Sequence, residues 1–157
     1  MKNIKGVSII IPVYNTGPYL NDAVNSILNQ RIPKPFRLEI IIVDDCSNDP
    51  YTLSRLVEIG KNQKIKIYKL DKNSGPACAR NFGVNQATYS LISFLDADDI
   101  WTKDSLNDRL EQFIHHPEID CVTSLYLYWY ADKLKLGETH KLRLLNASIE
   151  SNKALLI

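Results

Sequence analysis

Residues 38–45 read LEIIIVDD, a short run rich in β-branched side chains that ends on two acids. Six residues of this composition are too few for a buried helix and lack helical spacing, so Leu38–Val43 reads as a strand buried on both faces. The same pattern recurs in both directions along the chain. VSIIIPV (7–13) is followed by Tyr14-Asn15, IKIYKL (65–70) by Asp71-Lys72-Asn73, and the run from Tyr89 to Leu95 by Asp96-Ala97-Asp98-Asp99.

Helical spacing fills the gaps between these runs. In PYLNDAVNSILNQ the residues Leu20, Ala23, Val24, Ile27 and Leu28 form one apolar stripe. Asp49-Pro50 is a cap and first-turn signal for a helix with Leu53, Leu56 and Val57 turned inward. Ser74-Gly75-Pro76 opens a helix through Ala77, Ala79 and Phe82; another spans Lys103 to His115, with Leu106, Leu110, Phe113 and Ile114 on one side, and stops before Pro117. Cys121 to Trp129 reads as a fifth strand, and a helix is expected near the end of the 131–157 tail. Strands alternating with three-turn helices imply parallel pairing and right-handed crossovers. The expectation is a three-layer α/β/α sandwich with a mostly parallel sheet, one domain over residues 1–157.

Composition narrows the function. Nineteen Lys and Arg against eighteen Asp and Glu leave a net charge of +1, which argues against nucleic acid as a partner and against a broad basic membrane patch. The three cysteines Cys46, Cys78 and Cys121 are odd in number and lack CxxC spacing, which disfavours a disulfide framework or a zinc site and fits a cytoplasmic location. The first apolar run is too short to span a bilayer, so membrane association is expected only through further segments.

In an open parallel sheet, ligands bind beyond the carboxyl ends of the strands where the strand order reverses. Every strand exit here is polar, and two carry adjacent acids. If the chain stays extended past Leu95, Asp96 and Asp98 point the same way and Asp99 elsewhere. Carboxylates without a nearby Cys or His are hard oxygen ligands suited to Mg²⁺ or Mn²⁺, ions that share their shell with phosphates, so a diphosphate is the implied partner. Neither GxGxxG nor GxxxxGK[ST] is present to hold a pyrophosphate. Arg80 can fork onto phosphate oxygens, or pair with one of the acids.

VSIIIPVYN, EIIIVDDCSND, NSGPACARNFG and SFLDADD, in this order, resemble the nucleotide-diphospho-sugar glycosyltransferases of the GT-A fold, and within them the inverting family 2. The similarity is strong over 7–101 and looser to about 129. It implies that Pro12, Tyr14 and Asn15 line the base pocket, with Tyr14 packing on base and ribose. It matches Asp45 to the acid that hydrogen-bonds the base of uridine-type donors, and Asp44 to the same nucleotide-binding set, chiefly as support for the turn. Asn73, Gly75 and Arg80 match the segment near ribose and phosphates. Asp98 or Asp99 is implied as the metal ligand, and Asp96 or its neighbour as the contact to ribose or sugar. Cys46 departs from the pattern, standing where such families commonly have Gly.

The resemblance further implies transfer of a sugar from a nucleotide diphosphate, UDP in the first instance, to a hydroxyl of a glycan or lipid-linked acceptor in polysaccharide biosynthesis. Transfer proceeds by direct displacement with inversion, assisted by Mg²⁺ or Mn²⁺. The family's general base is expected downstream of Ile157, because Glu138 and Glu150 match no such motif; residues 1–157 then form the donor-binding part of a longer enzyme. The rival readings are a nucleotide-sugar-binding module without turnover and a phosphotransfer domain. The latter needs a lone phospho-accepting Asp with a Lys on a later strand, an order absent here.

Overall fold

The computed structural model describes residues 6–123 in full and, outside that span, the strand backbones at 127–130, 133–136 and 154–156. Strands β1 (Val7–Val13), β2 (Leu38–Asp44), β3 (Ile65–Lys69), β4 (Leu91–Phe94) and β5 (Cys121–Val122) alternate with helices α1 (Tyr19–Leu28), α2 (Pro50–Ile59), α3 (Pro76–Gln86) and α4 (Ser105–His115). β6 (Leu127–Tyr130), β7 (Lys133–Leu136) and β8 (Ala154–Leu156) follow. The main sheet has the order β3-β2-β1-β4-β8-β5, and all its pairings are parallel.

Period-two alternation sorts the sheet's side chains into two cores. Ile9, Ile11 and Val13 of β1 and Ile40 and Ile42 of β2 meet Leu20, Ala23, Val24 and Ile27 of α1, Leu56 of α2, and Leu106, Leu110 and Phe113 of α4. Ile10, Ile41, Val43 and Ile92 face the other way, onto Ala79 and Phe82 of α3. The result is the three-layer α/β/α arrangement that the alternation of strands and helices implies. α3 lies close to the sheet because Gly83 sits at the contact: a methyl there stands 2.5 Å from Ile10 Cγ2.

Several boundaries and faces differ from the sequence expectation. Val57 and Ile114 are exposed, at 71% and 45%. The inward face of α2 keeps the expected Leu56 and is completed by Thr52 and Ile59, a stripe rotated slightly from the expected one. Ala77 is exposed too. β3 ends at Lys69 and β4 covers only Leu91–Phe94, although backbone bonds from Leu70 N to Asp44 O and from Leu95 N to Ile10 O carry the pairing one residue further. The expected strand from Cys121 to Trp129 is split. Cys121–Val122 lies in the sheet, whereas Leu127–Tyr130 pairs antiparallel with Lys133–Leu136, because a local partner satisfies its backbone groups. Near the chain's end, where a helix is expected, Ala154–Leu156 forms a strand that fills the gap between β4 and β5. Glu138 and Glu150 lie outside the described residues.

One buried charge holds the amino ends of the strands. Glu39, 7% exposed within β2, accepts hydrogen bonds from Ser8 Oγ at 2.6 Å, Lys66 Nζ at 2.6 Å, Thr88 N at 2.9 Å and Thr88 Oγ1 at 2.7 Å. These join β1, β2, β3 and the entry to β4. Burial by itself raises the carboxyl's pKa, but the hydrogen bonds outweigh it and hold the group at about 2, against an ordinary 4.5. The folded state therefore favours the ionised form. The resulting stabilisation is complete above about pH 4.5 and is lost as pH falls toward 2.

Replacing Glu39 by Gln is expected to lower stability at pH 7 by about 2 kcal/mol and to flatten the acid limb of the stability profile, both measured by urea unfolding between pH 2 and 7. Gly83→Ala is expected to cost about 1–3 kcal/mol by forcing α3 away from Ile10, which the same titration reads at pH 7.

Candidate functional site

The strand order reverses at β1, whose neighbours are β2 on one side and β4 on the other. The β1–β4 ladder covers only Val7–Ile10 against Leu91–Phe94 and closes with Leu95 N donating to Ile10 O at 3.1 Å. On the other side, Val13 O accepts from Asp45 N at 2.8 Å, so residue 12 faces the β4 side. Pro12, which has no N–H to give, thus stands where that ladder has already ended, the place a central strand tolerates it. Beyond Ile10 the two strands part, and a cleft of about 370 Å³ opens between their exits. It is lined by Pro12, Val13, Tyr14, Thr16, Asp45, Asn73, Gly75, Pro76, Arg80, Asp96, Ala97 and Asp98.

The two acids ending β2 part ways because successive side chains point to opposite faces. Asp44, 2% exposed, accepts from Ser47 N at 2.8 Å, supporting the turn into α2, with Lys69 Nζ 4.0 Å away. It does not line the cleft. Asp45, 3% exposed, turns toward α3, where Oδ1 accepts from Ser74 N at 2.8 Å and Oδ2 from Gly75 N at 2.7 Å. Each oxygen keeps acceptor capacity for a further donor. Asn15 is likewise drawn out of the lining. At φ 51, it takes the bonds of Asn48 N and Asp49 N on Oδ1, both at 3.0 Å, and gives one from Nδ2 to Asn48 Oδ1. Cys46 stands at φ 64, a left-handed conformation that accounts for glycine being the common residue there.

Gly75 precedes α3 at φ 87 and ψ 159, a region open essentially to glycine alone. This conformation aims its N–H at Asp45 and starts α3 with Pro76 at the first helical position. One turn on, the Arg80 guanidinium donates to Asp96 Oδ1. Of the two pairings open to Arg80 from sequence, the structure holds the one with an acid. The acids themselves do not continue as an extended strand. Asp99 N donates to Asp96 O at 3.0 Å, closing a turn over 96–99 that presents Asp96 and Asp98 to the cleft and Asp99 outside its lining. Partial burial and the neighbouring charges of Asp98 and Asp96 push the Asp99 carboxyl above its ordinary pKa.

Of the residues proposed from sequence, the cleft gathers Pro12, Tyr14, Asp45, Asn73, Gly75, Arg80, Asp96 and Asp98, while Asn15, Asp44 and Asp99 stand behind it. Thr16 was not among them. Its Oγ1 is buried at the cleft without a hydrogen-bond partner among the described residues, and its only signal in the sequence is its place directly after Tyr14-Asn15.

The chain matches the family described as Glycosyl transferase family 2 over residues 8–151. It belongs to that family. Over 106 residues it is 43% identical to the provisionally named teichuronic acid biosynthesis glycosyltransferase TuaG of Bacillus subtilis, covering 67% of this chain and 40% of that protein. The poly(ribitol-phosphate) beta-N-acetylglucosaminyltransferase TarS of Staphylococcus aureus is 36% identical over 115 residues, covering 71% of this chain and 20% of TarS. The chain thus spans less than half the length of these relatives. A crystal structure of S. aureus TarS in complex with UDP superposes with a TM-score of 0.68 at 32% identity, over 77% of this chain and 36% of that one. The complex with UDP-GlcNAc gives 0.67, over 77% and 34%. This family 2 chain shares with TarS the α/β sandwich on which the cleft is built.

Gly75→Ala is expected to destabilise the family 2 domain by about 1–3 kcal/mol although the space beside it is open, because the cost lies in the backbone conformation. Thermal unfolding measures it.

Proposed function

We propose that this chain carries the donor site of a glycosyltransferase that moves a sugar from UDP to a hydroxyl of a glycan or lipid-linked acceptor, with inversion and with Mg²⁺ or Mn²⁺. The observation that carries the reading is the cleft at the β1/β4 reversal, where Tyr14, Asp45, Asn73, Arg80, Asp96 and Asp98 converge in a chain similar to TarS, whose structures hold UDP and UDP-GlcNAc.

Tyr14, 45% exposed at the cleft wall, offers a face for the base, and the remaining acceptor positions of Asp45 suit its N–H. Arg80 is the cationic side chain among the described residues lining the cleft, and we assign it to the diphosphate. Its pairing with Asp96 keeps it in place before the donor arrives, and its guanidinium retains further N–H groups for phosphate oxygens. The donor set fits a hard divalent ion. Asp98 is exposed, lines the cleft and has no hydrogen-bond partner among the described residues, where no three His, Cys, Asp or Glu side chains form a ready-made metal cage. Asp98, with Asp99 or Asp96 beside it, would hold the ion, and the rest of the shell would come from phosphate and water. Bound there, such an ion supplies Lewis-acid stabilisation of charge on the departing diphosphate. The chain's own side chains bind the nucleotide and orient the anomeric carbon toward the acceptor, whose hydroxyl gives its proton to a base that we assign to none of residues 6–123. Relatives named for teichuronic acid and minor teichoic acid biosynthesis favour a polymer of that class as the acceptor.

Calorimetric titration of the chain with UDP is expected to give binding that strengthens on adding Mn²⁺. Asp98→Asn is expected to weaken the manganese-dependent component by about tenfold or more. No heat with UDP and Mn²⁺, or unchanged affinity in Asp98→Asn, overturns the metal-assisted donor site.

A further inference from the structure

Past the acidic turn the chain runs from Ile100 to Asp104 outside any helix or strand before α4 begins. The carboxylates at 96, 98 and 99 repel one another. Their upstream side is secured by β4 and by Arg80, so the downstream side needs an anchor of its own, and α1 provides one. Gln30, 9% exposed and two residues beyond α1, donates from Nε2 to Thr102 O and to Ser26 O, both at 3.0 Å, and its Oε1 accepts from Leu106 N at 3.0 Å. Ser26 Oγ accepts from Trp101 N at 3.1 Å.

The bond to Leu106 has a specific task. α4 starts from Asp104 at φ 61 with no side-chain cap, and the first amides of a helix lack partners within it. Gln30 supplies, from just past the end of α1, the acceptor that an N-cap residue ordinarily gives. Trp101 is held further by the Arg109 guanidinium, 4.4 Å above its ring, while Arg109 Nε donates to Ser105 O at 3.0 Å. Trp101, Thr102 and Leu106 are thus fastened to α1 within ten residues of the acids.

We propose that Gln30 and Ser26 are positioning residues that hold the 96–99 turn in the geometry required by the cation and diphosphate end of the donor. The proposal rests on the reading of the cleft as a donor site. It predicts a selective effect, because the base end of the cleft is built separately: Asp45, which follows β2, ties Ser74 and Gly75, and none of these residues hydrogen-bonds to the clamp.

The test uses the 157-residue chain with Gln30→Met, which keeps side-chain length and removes all three bonds, and the milder Ser26→Ala, which removes the bond to Trp101. Hydrogen exchange is expected to accelerate about tenfold for amides 98–106 in Gln30→Met and to a smaller degree in Ser26→Ala, with amides 44–48 and 73–75 unchanged. The Kd for UDP with Mn²⁺ is expected to rise about tenfold, while that for uridine without metal stays the same. Unchanged exchange over 98–106 in Ser26→Ala, uniform acceleration throughout the chain, or equal weakening of both ligands overturns the positioning role. Should the unsubstituted chain bind no UDP with Mn²⁺, the donor reading falls, and the pattern of exchange alone decides whether the clamp holds the turn.

Discussion

Parallel pairing sends every strand exit to the same edge of the sheet, and the site depends on that constraint. With β2 and β3 laid out on one side of β1 and β4 on the other, the connections leave β1 and β4 in different directions and cannot cover the space between them. Pro12 reinforces the opening, since a residue without an N–H cannot extend the ladder toward β4. The cleft is a consequence of topology, and the side chains at the exits decide what it holds.

Placing acids at converging strand ends creates an electrostatic problem that is solved locally at each exit. Asp44 and Asp45 are nearly inaccessible, yet Asp44 accepts one backbone N–H and Asp45 two from the loops they face, so the carboxylates organise those loops as they are stabilised by them. Asp96 is met by Arg80, leaving Asp98 and Asp99 as the acids whose charge a cation can still balance. At the opposite edge Glu39 shows the same economy: one carboxylate satisfied by Ser8, Lys66 and Thr88 ties three strands and the entry to a fourth. The two edges thus differ in purpose, one closed by a saturated network and one left with unspent acceptors.

Much of this was legible from residue patterns. β-branched runs bounded by polar turns marked the strands, and the stripe Leu20, Ala23, Val24, Ile27 marked the buried face of α1, because burial on a helix recurs at fixed spacing. The limits of those stripes were not legible. Val57 and Ile114 are apolar residues adjacent to a buried stripe, and only the neighbouring elements determine that they fall outside it. The splitting of the run after Val122 and the late strand Ala154–Leu156 rest on pairings between residues far apart or across a hairpin, which local composition does not encode. Asp44 and Asp45 read alike as neighbours, and Glu39 and Gln30 carried no signal at all, since a polar residue in an amphipathic pattern looks the same whether it faces solvent or a ring of donors.

By itself, then, the sequence determined the alternation of elements, the polarity of the strand exits and membership in a glycosyltransferase family, because these follow from local spacing and from ordered motifs. The tertiary structure alone decided which acids face the cleft, that Arg80 is paired with Asp96, and that a glutamine after the first helix caps the fourth. Those outcomes depend on which groups meet across long stretches of chain, and hydrogen-bond partners are fixed by that meeting in space and not by position in the sequence.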